Sequence, residues 1–210
     1  MTTVIDSGIY SAPAKLTRLA FQRRRVLGMA ALLGLAACGG GTGDRSGQTS
    51  QSRLVLFGES HARRWADDNA STLARWNVTN RGVGGETTDR GLQRLPDALA
   101  LRPDLLVHWQ GGNDAIRYNG LHEPSYRAAL QLMAGSGVPC LVLTIPPIYR
   151  NASENAASLR VAEAQRKLVA EAGLAMFDVS PLIDTSLMLD DGLHLNSDGY
   201  ALLSQRLGWL

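Results

Sequence analysis

Cysteine is nearly absent from this chain of 210 residues, which holds two, Cys38 and Cys140. Cys38 closes an N-terminal apolar run and has its own explanation below. That leaves one thiol, which can form neither an internal disulfide nor a cysteine zinc site. Cys140 lies in the run "VPCLVLTI" and reads as a small buried hydrophobe. The uncharged apolar stretch from Val26 to Ala37 falls short of the roughly 20 residues that span a bilayer, so it is not read as a membrane-crossing helix. A marked excess of either charge is missing too. Of 21 basic and 19 acidic residues, five basic and one acidic precede Cys38, which leaves 16 and 18 after it, a formal −2. The basicity belongs to the leader, and no argument for nucleic acid survives. There is no internal repeat and no second domain boundary.

What is present at the front is "RRRVLGMAALLGLAACGGG", three arginines followed by the apolar run and Cys38. That is the layout of an export signal. Leu35-Ala36-Ala37-Cys38 resembles the bacterial lipoprotein box, which implies lipidation of Cys38 and removal of residues 1–37. "RRRVLG" also resembles a twin-arginine signal, while an ordinary secretory signal behind a misassigned start remains open. Residues 38–52 carry the cysteine and then "GGGTGDRSGQTSQS", which has nothing apolar to bury and reads as a linker. The expected place is a bacterial cell envelope, with the membrane as a partner through lipidated Cys38. Residues 53–210 are long enough for one domain that buries about 68–70% of its unfolded surface.

In that domain short apolar runs alternate with longer amphipathic ones, the pattern of a parallel sheet covered by helices. Strands are expected at Leu54–Phe57, Val78–Asn80, Leu105–Trp109, Leu141–Thr144 and Ala175–Val179. Helices are expected over 61–76, 87–101, 123–137 and 154–173 and after Ser197. Such sheets bind ligands beyond the carboxyl ends of their strands. There the sequence places "GESHA", "RGVGGETT", "QGGND", "IPPIY" and "DDGLHLN".

Ser60 follows the first strand directly, where helix-end amides suit a developing negative charge; a plain N-cap is the alternative. His194 is the best-placed base, and Asp191 three residues earlier can orient its ring, although a turn hydrogen bond gives the same spacing. A metal site with Asp190, Asp191 and His194 has no further ligand cluster to complete it. The Ser60 and Gly85 amides and the Asn113 side chain offer three donors for one oxyanion. His61 is expected to face solvent on the first helical turn, His108 to be a core residue, and His122 to be a loop residue without a partner. Trp65, Trp76, Trp109 and Trp209 read as packing. Ile145, Ile148 and Tyr149, in the proline-stiffened "TIPPIYRN" loop, are the candidate acyl-binding wall.

Together these blocks resemble the SGNH hydrolases, or GDSL esterases and lipases, across 54–210. The resemblance implies a flavodoxin-like three-layer α/β/α fold with a five-stranded parallel sheet. It makes Ser60 the nucleophile, His194 the base and Asp191 its orienter, with Ser60, Gly85 and Asn113 as the oxyanion hole. Block three's "GGND" is intact; block one departs, reading Gly58-Glu59-Ser60 where the family has Gly-Asp-Ser, which puts specificity in question. The implied activity is hydrolysis of carboxylic esters, with short acyl or acetyl esters of carbohydrates or small molecules favoured, and it requires no metal or cofactor. An envelope acyltransferase, a lysophospholipase or thioesterase, and a non-catalytic glycan-binding lipoprotein are the alternatives. The oligomeric state is not legible.

Overall fold

A computed structural model describes residues 51–209. The expected export segment 1–37, Cys38 and the linker up to residue 50 lie outside the described residues. Within them, five strands alternate with six helices. The strands are β1 (Arg53–Gly58), β2 (Asn77–Gly82), β3 (Leu105–Trp109), β4 (Cys140–Leu143) and β5 (Ala175–Phe177). The helices are α1 (Ser60–Asp68), α2 (Thr88–Ala100), α3 (Gly112–Tyr118), α4 (Glu123–Gly135), α5 (Ala152–Glu171) and α6 (Ser197–Arg206). Every strand pair is parallel and the order is β2-β1-β3-β4-β5, the flavodoxin-like arrangement.

The pleat sorts the apolar residues into two layers, because successive side chains leave a strand on opposite faces. Leu54, Leu56, Val107, Trp109, Leu141 and Leu143 face α1 and α6, where they meet Trp65, Tyr200 and Leu203. Val55, Phe57, Leu106 and Val142 face the other way, against Leu95 of α2, Met133 of α4 and Leu168 of α5. Strand β2, at the sheet edge, alternates between exposed and half-buried positions, as its polar sequence requires. The four tryptophans pack against one another. Trp65 lies 5.7 Å from Trp109 and 5.5 Å from Trp209, which in turn lies 5.5 Å from Trp76.

Three elements differ from expectation, each through a side chain. Helix α1 stops at Asp68 because the Asn69 amide turns back to the Arg64 carbonyl and Thr72 N–H bonds to the Asn69 carbonyl, starting a separate 3₁₀ turn. Strand β5 ends at Phe177 because the Thr144 hydroxyl takes the Val179 and Ser180 amides that would have continued the ladder. Helix α3 falls between the expected elements; its first-turn donors are satisfied by a residue far away in sequence, described below.

Gly58 closes β1 with φ at +149°, and a Cβ there would sit 1.9 Å from the Trp109 carbonyl oxygen, which already accepts the Glu59 N–H at 3.1 Å. Gly58→Ala is therefore expected to cost about 3 kcal/mol through strain and backbone displacement. Urea denaturation measures this, and an unchanged midpoint would refute it.

Candidate active site

Ser60 begins α1 immediately after the tight passage at Gly58. Glu59, the preceding residue, makes no side-chain cap to that helix, so the first-turn amides, Ser60 N–H among them, lack an intrahelical partner. The Ser60 Oγ stands 2.9 Å from His194 Nε2, and His194 Nδ1 stands 2.6 Å from Asp191 Oδ2. Asp191 Oδ1 accepts the Leu193 and His194 amides, each at 2.9 Å. Burial raises the Asp191 carboxyl, but the hydrogen bonds from the His194 ring and from these two amides outweigh it and hold the group at about 2. An ionised Asp191 only accepts, so Nδ1 carries the imidazole proton and Nε2 is free to take the one on Ser60.

The loop that presents His194 is braced internally. Met188 and Leu195 form an antiparallel bridge, Leu189 N–H donates to the His194 carbonyl at 2.7 Å, and Asn196 Oδ1 caps α6 through Gly199 N–H at 2.9 Å. Asn196 thus caps α6, and Asp190 is solvent-exposed.

Glu59 turns away from α1 and is fully buried. Its carboxylate accepts the Gly112 amide at 2.9 Å, the Asn113 amide at 3.0 Å and Asn113 Nδ2 at 2.5 Å. That capping starts α3, and it fixes the Asn113 side chain with one Nδ2 hydrogen still free. Gly112 has no Cβ at the only place where the carboxylate passes, since one would lie 2.5 Å from Oε1. Gly85 sits at φ +74° in an exposed turn after β2, held by Val83 N–H to the Gly58 carbonyl at 2.9 Å and by Glu86 N–H to the Val83 carbonyl at 3.3 Å. The Gly85 amide has no hydrogen-bond acceptor among the described residues.

Two expectations need correction. His61 does not face solvent: it is 2% exposed, its Nε2 lies 3.1 Å from the Leu193 carbonyl, and its ring centroid lies 5.0 Å from Trp109 and 5.5 Å from His194. Burial, then the neighbouring His194, pulls its pKa down to about 3, so the ring is neutral. The missed signal was spacing, since His61 shares a helix face with Trp65. Ile145 and Ile148 are each 1% exposed and pack with Ala157 and Val161, so they offer no surface to an acyl group. Tyr149, the third member of the expected wall, sends its hydroxyl to the Ile183 carbonyl at 3.0 Å. Ile116, Leu121 and Leu193 are the partly exposed apolar residues over that cluster, and Leu193 precedes His194 in the chain. His108 is buried in β3 as expected, and His122 precedes α4 with no hydrogen-bond partner for its ring Nδ1 among the described residues. Among the described residues no three of His, Cys, Asp and Glu stand together as metal ligands. A groove of about 630 Å³ lined by Pro96, Leu99, Pro103 and Val138 contains none of the site residues.

Comparison with known proteins points one way. The model of the GDSL-like lipase/acylhydrolase family matches residues 38–202. No curated protein matches. A lipase/acylhydrolase from Enterococcus faecalis is 25% identical, with a TM-score of 0.58 over 75% of this chain and 93% of that one. An acetyl xylan esterase is 18% identical, with a TM-score of 0.64 over 74% of this chain and 98% of that one. An acetylxylan esterase from Geobacillus stearothermophilus is 15% identical, with a TM-score of 0.61 over 76% and 96%. At such identities the last two speak for the shared fold.

Burial pushes the Glu59 carboxyl up from 4.5 to about 7, against the hydrogen bonds from Asn113 and Gly112. The folded protein therefore holds this proton more tightly than the unfolded chain. Its contribution to stability is full below about 4.5 and is lost as pH rises through about 7. Glu59→Gln removes that titration, so between about pH 5 and about pH 8 its stability should decline less than that of the parent. Urea melts across this range measure the difference; parallel profiles would contradict it.

Proposed function

The chain belongs to the GDSL-like lipase/acylhydrolase family, and from that premise we propose a serine esterase that acts through an acyl-enzyme on short acyl or acetyl esters of carbohydrates or small molecules. The observation that carries this reading is the unbroken relay from Ser60 Oγ through His194 to Asp191, at 2.9 and 2.6 Å. In the first half-reaction His194 Nε2 takes the Ser60 proton as Oγ attacks the ester carbonyl. The oxyanion accepts hydrogen bonds from the Ser60 and Gly85 amides and from the free Nδ2 hydrogen of Asn113. Asp191 stabilises the imidazolium, which passes its proton to the departing alcohol oxygen. In the second half, His194 takes a proton from water, hydroxide adds to the acyl carbonyl, and the acid leaves as Ser60 regains its hydrogen.

Short acyl groups are favoured because Ile145 and Ile148 are sealed in the core, which leaves Leu193, next to His194 in the chain, as the partly exposed apolar residue nearest the base in sequence. The acetyl xylan esterases among the structural neighbours support the same substrate class. We further propose a lipid anchor at Cys38 on the bacterial envelope. Arg53 starts β1 at one edge of the sheet and Ser60 follows its other end, about 20 Å away at 3.3 Å per residue. A chain held from residue 53 is thus held at the edge away from the relay, an arrangement suited to esters of the surrounding envelope more than to bilayer lipids.

Ser60→Ala should abolish hydrolysis of p-nitrophenyl acetate while the protein stays folded, and the parent's kcat/KM should fall as the acyl chain lengthens. Steady-state kinetics on a chain-length series measures both; retained turnover in the variant defeats the nucleophile assignment. Cys38→Ser should move the protein from the membrane to the soluble fraction, and continued membrane association would count against the anchor.

A further inference from the structure

The letters of the family name spell Gly-Asp-Ser-Leu, whereas this chain reads Gly58-Glu59-Ser60-His61. The two departures, Glu59 and His61, touch the same buried space. His61 Nε2 faces the Leu193 carbonyl at 3.1 Å, and a carbonyl only accepts, so Nε2 carries the ring hydrogen. Nδ1 then presents a lone pair; it is buried, has no hydrogen-bond partner among the described residues, and lies 4.0 Å from Glu59 Oε1. Glu59 in turn grips the first turn of α3 through the Gly112 amide and through both nitrogens of Asn113. His61 Nδ1 and Glu59 Oε1 therefore pack side by side as two acceptors without a hydrogen bond, in one buried space between the loop of the base and the oxyanion donor.

Each departure shapes one wall of that space. An aspartate at 59 is shorter by one methylene, about 1.5 Å, and could not hold its present three donors while lying against the His61 ring without a shift of α3. A leucine at 61 has no hydrogen for the Leu193 carbonyl, which would be left without that donor next to the catalytic loop. We propose that Glu59 and His61 are a mutually compensating pair of positioning residues that holds the His194 loop and the Asn113 donor in register. They touch neither substrate nor reacting atoms and act through Leu193 and Asn113. This rests on the serine-esterase reading of the same site.

The test is a double-mutant cycle on the full chain with p-nitrophenyl acetate. Glu59→Asp and His61→Leu should each lower kcat by about 10- to 100-fold with KM within about threefold, because the oxyanion donor and the base are misplaced while the binding surface is intact. The double variant, which carries the Gly-Asp-Ser-Leu sequence, should lose no more than the worse single. His61→Gln, which returns an N–H to the Leu193 carbonyl, should recover most of the kcat lost in His61→Leu. Losses that multiply in the double variant, or an unchanged kcat in either single, overturn the pair. Where a variant melts too low to assay, thermal denaturation reads the same cycle, and Tm losses that add overturn it. Ser60→Ala separates the two claims. Turnover retained there defeats the esterase reading, whereas multiplicative losses beside an inactive Ser60→Ala defeat the pair alone.

Discussion

A single buried carboxylate, that of Glu59, ties the end of β1 to the start of α3, and much of the site follows from it. Placing a carboxylate at zero exposure is costly unless donors replace the lost water. Here the replacements are three N–H groups of Gly112 and Asn113. In satisfying them Glu59 caps a short helix and leaves the first amides of α1 uncapped. The neighbouring Asp114 extends the arrangement: its carboxylate takes the Thr88 amide at the start of α2, at 2.8 Å, and the His122 amide just before α4, at 3.0 Å. The segment Gly112-Asn113-Asp114 thus sets three helix starts at one sheet edge.

That edge is where the strand order reverses. Strands β1 and β3 are neighbours, α1 packs on one face and α2 on the other, the place where sheets of this order generally bind ligands between the outgoing connections. Ser60 and Asn113 leave from those two strands. His194 arrives from beyond β5 through two 3₁₀ turns, and it is the residue whose position depends on loop geometry. The bonds from Asp191 to its own loop and the Met188–Leu195 bridge make that loop rigid without help from the sheet. The bond from His61 to the Leu193 carbonyl, beside that from His194 to Ser60, docks it onto α1.

How much of this was legible in the sequence depended on whether the controlling contact was local. The sheet was, because apolar runs of four or five residues between amphipathic segments leave few alternatives, and β3 matches the expected Leu105–Trp109. The capping of α6 by Asn196 was, for the same reason. Helix α3 was not, because its cap comes from Glu59, 53 residues earlier, and "GGND" alone reads as a turn. The burial of Ile145 and Ile148 was not, because after β4 both are covered by α5, and nothing in "TIPPIY" says on which side the chain passes. His61 lay between these cases. Its spacing to Trp65 pointed inward, and polarity alone suggested solvent.

The placement of charge then follows from depth. In the proposed reaction His194 becomes an imidazolium, and a second cationic ring 5.5 Å away would oppose it. His61 occupies that second position, and burial keeps it neutral at any pH above about 3. Glu59, nearby and equally buried, is drawn toward its acid form, with its pKa raised to about 7. Asp191, whose side chain is 44% exposed, is held ionised down to about 2 by its own loop. Permanent charge therefore sits on Asp191 beside the imidazole, while burial disfavours charge on Glu59 and His61. Ser60 lies between the His194 imidazole, backed by ionised Asp191, and buried polar groups, and Nε2 of His194 is the acceptor that faces its hydroxyl, at 2.9 Å.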